Sequence, residues 1–232
     1  MKMATEREVT LTEFRHELNA LTIPRRTIDE VIVHHTWSPT AAQYKGIETV
    51  RGVRRYHMEE RGWSDNGYHV MIGPDGKIFM CRPLARAGAH VAGRNTHSVG
   101  VAFIANFDEE EPGEYGGMDT GLRVVAELLE RFHLESRDIH FHREFAPKTC
   151  PGAKLQLGEF RTAVERVRVR RTGPARLVVL LPGYENTAVP IMVDGLHYVS
   201  LRDVARLFDL ELVDHRAKDG KLYLKPREEE DE

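Results

Sequence analysis

Disulfides, membrane spans and a dominant charge are all missing from this sequence. Its 232 residues contain two cysteines, Cys81 and Cys150, too few for a disulfide framework. No stretch approaches the ~18 consecutive apolar residues of a membrane-crossing helix, so no membrane span is expected. Lysine and arginine number 33 against 36 aspartates and glutamates, for a net charge of -3. That near balance excludes the basic footprint of a general nucleic-acid binder. The opening residues, Met1 to Glu8, lack the apolar core of a secretory signal. What remains is a globular chain, 41% hydrophobic, long enough for a real core in one or two domains. The excess is in histidine. There are twelve, several in short clusters where metal or proton chemistry becomes feasible.

Strands and helices alternate along most of the chain. Phe14, Leu18 and Leu21 recur at helical spacing over residues 10 to 21. The run Val31-Ile32-Val33 leads into His34-His35 and reads as a buried strand. A helix follows from Ile47, ending near Gly62. Tyr68 to Ile72 and Lys77 to Met80 read as a hairpin, with Asp75-Gly76 supplying the turn. Val99 to Ile104 is a further apolar strand. Leu122, Val125, Leu129 and Phe132 form one helical stripe. Residues 138 to 152 read as irregular, and a last helix carries Phe160, Val164 and Val167. A basic stretch ending in Gly173-Pro174 marks a domain boundary. Beyond it lies a smaller unit with hairpins at 190–199 and 212–224 around a helix starting near Ser200. The tail from Glu228 to Glu232 is a block of like charge.

Three places concentrate metal-capable side chains: His34-His35 at a strand end, His140 with His142, and Cys150. Imidazole and thiolate suit Zn2+, and a catalytic zinc keeps three protein ligands with one position open. Each donor also has an ordinary reading. A strand-end histidine can be a hydrogen-bonded core residue, and Cys150 a small buried hydrophobe. His140 and His142 share a face if their segment is extended, so spacing alone leaves either as the donor. It also leaves open whether such a zinc would be catalytic or structural.

The segment His142-Arg143-Glu144-Phe145-Ala146-Pro147-Lys148-Thr149-Cys150-Pro151-Gly152 resembles a motif of the N-acetylmuramoyl-L-alanine amidase family. That family includes phage endolysin amidases and animal peptidoglycan-recognition proteins. Three further segments agree in order: Val31 to Thr36, Gly62 to Val70, and Asn95 to Val101. Together the resemblance spans roughly residues 25 to 168. It implies an α/β fold, a central mixed β-sheet flanked by helices. It implies Zn2+ on His34, His142 and Cys150, catalytic positions at Tyr68 and Lys148, and a substrate groove lined by His90 and Asn95. The implied substrate is peptidoglycan, cleaved between N-acetylmuramic acid and L-alanine. Recognition proteins that only bind the polymer typically lose a ligand, often the cysteine. The complete set here implies an active enzyme rather than a non-catalytic binder or a structural-zinc regulatory domain. The missing secretory signal then predicts a cytoplasmic product that reaches the wall after lysis, or a bacterial autolysin or recycling enzyme.

The expected organisation is a helical segment at 1–24, the catalytic domain at 25–172, a small α+β module at 177–226 and an acidic tail at 227–232. The N-terminal helix could be a lid or a dimer contact. The run Tyr198-Val199-Ser200-Leu201-Arg202-Asp203-Val204-Ala205 resembles the small module found at the N-terminus of copper amine oxidases. That resemblance implies a wall-attachment or stabilising module. The oligomeric state is not legible.

Overall fold

The computed structural model describes residues 6–21 and 27–172, and the backbone of 175–179, 189–193, 210–214 and 223–226. The chain divides into two units, 1–168 and 169–232. The first is built on a six-stranded mixed sheet. Its strands are β1 (Arg7–Val9), β2 (Glu30–His35), β3 (Val70–Ile72), β4 (Ile78–Met80), β5 (Ser98–Phe103) and β6 (Ile139–Phe141). Across the sheet they run β1-β4-β3-β5-β2-β6. Strands β3, β5, β2 and β6 are parallel, and at one edge β4 runs antiparallel to both of its neighbours, β3 and β1. The mixed sheet expected from the resemblance is therefore present.

Central strands with both faces covered need apolar side chains on both faces, and β2 and β5 are buried along their whole length. Val31, Val33, Val70, Ile72, Val101 and Phe103 face one core. Helices α1 (Leu11–Ala20), α3 (Met118–Phe132) and α4 (Leu157–Thr172) belong to this side. Met71, Phe79, Ala102 and Ile104 face a second core with Val50 and Val53 of α2 (Ile47–Glu59). Alternation along β2 puts His34 on the α2 side and His35 on the other.

Two short strands escaped the sequence reading. β1 falls in the segment expected to be helical, 1–24, and instead pairs with β4. β6 falls in the stretch expected to be irregular and pairs in parallel with β2. The N-terminal helix, expected as a lid or a dimer contact, packs one face into the core. Thr10 and Glu13 form a reciprocal capping box at its start. Phe14 and Leu18 are buried in the core shared with α3, and Arg131 caps its last turn through the carbonyls of Leu18 and Leu21.

In the second unit β7 (Ala175–Val179) pairs antiparallel with β8 (Val189–Val193). β9 (Leu210–Asp214) pairs antiparallel with β10 (Tyr223–Pro226), the expected late hairpin. The return strand at 196–199, the helix from Ser200, the Tyr198–Ala205 run and the acidic tail lie outside the described residues.

One glycine controls the loop that carries Cys150. Gly152 has φ +118°, and a Cβ there would lie 2.3 Å from the Phe107 carbonyl carbon. Backbone cannot yield as a side-chain tip can. Gly152→Ala is expected to cost about 2 kcal/mol or more, read as a lower denaturant midpoint; an unchanged midpoint would contradict this packing.

Candidate metal centre and its cleft

Three donors converge at the carboxyl ends of β2 and β6. His34 is the next-to-last residue of β2, and His142 opens a single 3-10 turn directly after β6. Cys150 sits eight residues further on. Their ligand atoms all lie within 4.8 Å of one another. His34 Nδ1 is 3.7 Å from Cys150 Sγ. Bond lengths of ~2.0 and ~2.3 Å around a tetrahedral zinc put such atoms about 3.6 Å apart. The donor set and its spacing thus fit Zn2+ with little rearrangement. Asp29, Glu30 and His97 form another metal-capable group, but there Glu30 is already engaged by Arg94 and His97.

The turn and the loop that supply two of the donors are locked together. Arg143 N–H donates to the Cys150 carbonyl at 2.8 Å. The Arg143 guanidinium reaches the carbonyls of Gly152 and Leu155 at 2.8 and 2.7 Å. From the other side, Asp108 accepts from Ala153 N–H and Thr149 Oγ1, both at 2.8 Å. The ambiguity between His140 and His142 disappears here. Strand geometry stops at Phe141, so the two rings do not share a face. His140 turns away to Glu144 at 3.0 Å, whereas the His142 ring lies 4.7 Å from that of His34.

Burial governs the electrostatics. It holds His34 well below the usual imidazole range, helped by His90 and His142. Burial and the Lys148 charge pull His142 down to about 4. The Cys150 thiol is pushed up to about 12 by burial. Burial and the nearby Cys150 hold the Tyr68 hydroxyl above its ordinary range, so it stays protonated. In the metal-free site both imidazoles therefore offer lone pairs at pH 7, while the sulfur keeps its proton.

His142 lines one open cleft and, with Cys150, another, while His34 is buried behind them. Tyr68 precedes β3 instead of lying within a strand, and its ring packs 5.1 Å from His34. Lys148 is exposed at the rim. One cleft of about 430 Å3 is lined by Trp63, Tyr68, His90, Asn95, His142 and Lys148. A second, of about 660 Å3, leaves Tyr68 on the other side past His57, Trp37 and Tyr56. Trp37 and Tyr56 are the exposed large hydrophobics among the described residues, and the sequence reading passed over both. Trp37 holds φ +60°, uncommon for a bulky residue; the motif gave no signal of it. His90 and Asn95 line the first cleft, yet His90 is 7% exposed and its ring faces His34 at 3.1 Å. Asn95 Oδ1 accepts from the backbone N–H of His90 and Val91.

The remaining buried histidines are structural. His35 accepts from Phe107 N–H at 3.1 Å, His57 from Gly67 N–H at 3.2 Å and His69 from Gly100 N–H at 3.0 Å. Trp63 stacks on His57, and Cys81 is a buried thiol. Burial lowers His35 and His57 to about 4. The unfolded chain takes up these protons near 6.5 and the folded one only near 4, so stability falls as pH drops through that window. The raised carboxyls of Glu6 and Glu30 act in the opposite sense. His34 and His142 join His35 and His57 in the metal-free protein, so with four such histidines it should lose up to about 1.4 kcal/mol per pH unit for each, less what the two carboxyls return. Urea midpoints at pH 7, 5.5 and 4.5 measure this, and a flat series would refute it.

The profile described as N-acetylmuramoyl-L-alanine amidase matches residues 24–153. The chain is 32% identical over 130 residues to peptidoglycan-recognition protein SC1a of Drosophila melanogaster, covering 53% of this chain and 68% of that one. It is 32% identical over 132 residues to the human N-acetylmuramoyl-L-alanine amidase, covering 53% of this chain and 22% of that one. Among solved structures, wild-type Drosophila PGRP-LB superposes with a TM-score of 0.52 at 27% identity, covering 61% and 84% of the two chains. The N-acetylmuramoyl-L-alanine amidase LysC from Clostridium intestinale URNW gives 0.51 at 26% identity, covering 60% and 87%.

Proposed function

Because the chain belongs to the N-acetylmuramoyl-L-alanine amidase family, we propose that it is a zinc-dependent hydrolase that cleaves peptidoglycan between N-acetylmuramic acid and L-alanine. The observation that carries this reading is the convergence of His34, His142 and Cys150 beneath an open cleft whose rim holds Lys148 and Tyr68. His34, His142 and Cys150 would hold the ion. When bound, zinc acidifies water to a pKa of about 7 and polarises the scissile carbonyl.

The chain's own groups supply the rest. The Lys148 ammonium, on a side chain free to reach over the cleft, stabilises negative charge as it develops on the carbonyl oxygen. The Tyr68 hydroxyl, kept protonated by burial, donates a hydrogen bond at the reacting centre. The clefts to either side of Tyr68 give room for a substrate that continues both ways from the amide, glycan on one side and peptide on the other. A closed structural site would bury all its donors in protein, but His142 is only partly buried and lines the cleft.

The recognition proteins among the relatives favour a second reading, capture of peptidoglycan without cleavage. The complete donor set and Lys148 support the enzyme instead. Digestion of purified peptidoglycan separates the readings. New alanine amino termini without new reducing sugar ends support the amidase. Binding with no new termini supports capture, and reducing ends would mean a glycosidase.

A further inference from the structure

We propose that His90 is a positioning residue for the metal centre: it fixes His34 in the tautomer whose Nδ1 lone pair faces Cys150. This rests on the zinc reading above. The hydrogen bonds run in one direction. Ser98 Oγ donates its hydrogen to the Arg94 carbonyl at 2.8 Å, which presents an oxygen lone pair to His90 Nε2 at 3.3 Å. His90 Nε2 therefore carries the ring hydrogen, and its Nδ1 is bare. That Nδ1 lies 3.1 Å from His34 Nε2 and accepts its hydrogen. The remaining nitrogen, His34 Nδ1, is left with a lone pair aimed at Cys150 Sγ, 3.7 Å away. A ligand histidine is oriented in this way by the partner on its other nitrogen.

The fold reserves space for this ring. A Cβ on Gly100 of β5 would sit 2.7 Å from His90 Cδ2 and 3.0 Å from its Nδ1. A Cβ on Gly88 would sit 2.4 Å from the same Cδ2. Two glycines thus clear a slot against the sheet beside His34. The backbone of His90 is held in turn by Asn95 Oδ1 at 2.8 Å. Lining of the cleft by His90 follows from this placement, and its ring nitrogens are directed inward.

The test compares wild type, His90→Leu, His90→Asn and Gly100→Ala. Nitrogen-15 NMR of the metal-free wild type should show His34 protonated on Nε2 and bare on Nδ1. Competition of zinc against a chromophoric chelator should show His90→Leu binding 10- to 100-fold more weakly. His90→Asn, whose Oδ1 can stand where Nδ1 stood, should recover most of that loss; Gly100→Ala, which crowds the ring, should not. Equal thermal midpoints in EDTA separate this effect from a folding defect. A His34 proton on Nδ1, zinc binding by His90→Leu equal to wild type, or an Asn variant as weak as Leu would each overturn the proposal. Wild type that takes up no zinc would overturn the functional reading, while the NMR result would still report on the hydrogen-bond chain.

Discussion

Cys150→Ser should lose both zinc and hydrolysis while keeping its fold. The side chain is 8% exposed, and a hydroxyl nearly matches the thiol in size, so packing changes little. The chemistry changes greatly. A thiolate is a strong zinc ligand, whereas serine retains its proton and offers a weak neutral oxygen. Burial pushes the Cys150 thiol up to about 12, so zinc must displace a proton at neutral pH. His34 and His142 are already neutral there. Uptake of one ion should therefore release between one and two protons at pH 7, one from the thiol and part of one from water whose pKa zinc brings to about 7, and zinc affinity should rise at least about tenfold per pH unit between pH 6 and 8. Calorimetry in buffers of different ionisation enthalpy counts those protons. In Cys150→Ser, zinc content should drop below measurable stoichiometry and activity by at least about 10^3-fold. Tight zinc binding by the variant would exclude the sulfur as a ligand.

Lys148→Ala should separate the metal from the chemistry. Lys148 is exposed and donates to no ligand, but it lies close enough for its charge to lower His142 and His34. Removing it leaves the donors in place and takes away a positive charge that repels protons and Zn2+ alike. Zinc affinity should be unchanged or a little higher. Hydrolysis should fall about 10^2- to 10^3-fold, the cost of losing one oxyanion-stabilising group. Because the interaction strengthens only in the transition state, kcat and kcat/KM should fall together. Wild-type turnover in the variant would remove Lys148 from the reaction.

Much of this site was legible in the sequence because short-range pattern and geometry agree there. The apolar run Val31 to Val33 can only be a buried strand, and alternation then separates His34 from His35. Cys150 lies on a loop that the Arg143 and Asp108 hydrogen bonds tie beside His142, so a motif contiguous in sequence is contiguous in space. Where the reading failed, the determinants were long-range. β1 and β6 are three residues each, and charges in Arg7-Glu8 and the polar His140 interrupt their apolar pattern; only pairing with β4 and β2 reveals them. His140 and His142 could not be told apart because the switch from strand to 3-10 turn at Phe141 has no sequence marker. The inward turn of His90 depends on the register that brings Gly100 beneath it, and on a slot made by two glycines twelve residues apart. Trp37 and Tyr56 flank the second cleft, but nothing near them in sequence marks them as neighbours.

The most direct test uses a soluble muramoyl peptide with an intact lactyl-L-alanine amide. The substrate is offered to metal-free protein, to the same protein with one equivalent of zinc, and to Lys148→Ala loaded with zinc. Mass spectrometry should find free muramic acid carboxyl and alanine amino terminus in equal amounts with the zinc-loaded wild type. The metal-free protein should give none, and Lys148→Ala at most about one hundredth of the wild-type rate. Full zinc occupancy with the amide left whole, or cleavage that persists without metal, would contradict the account.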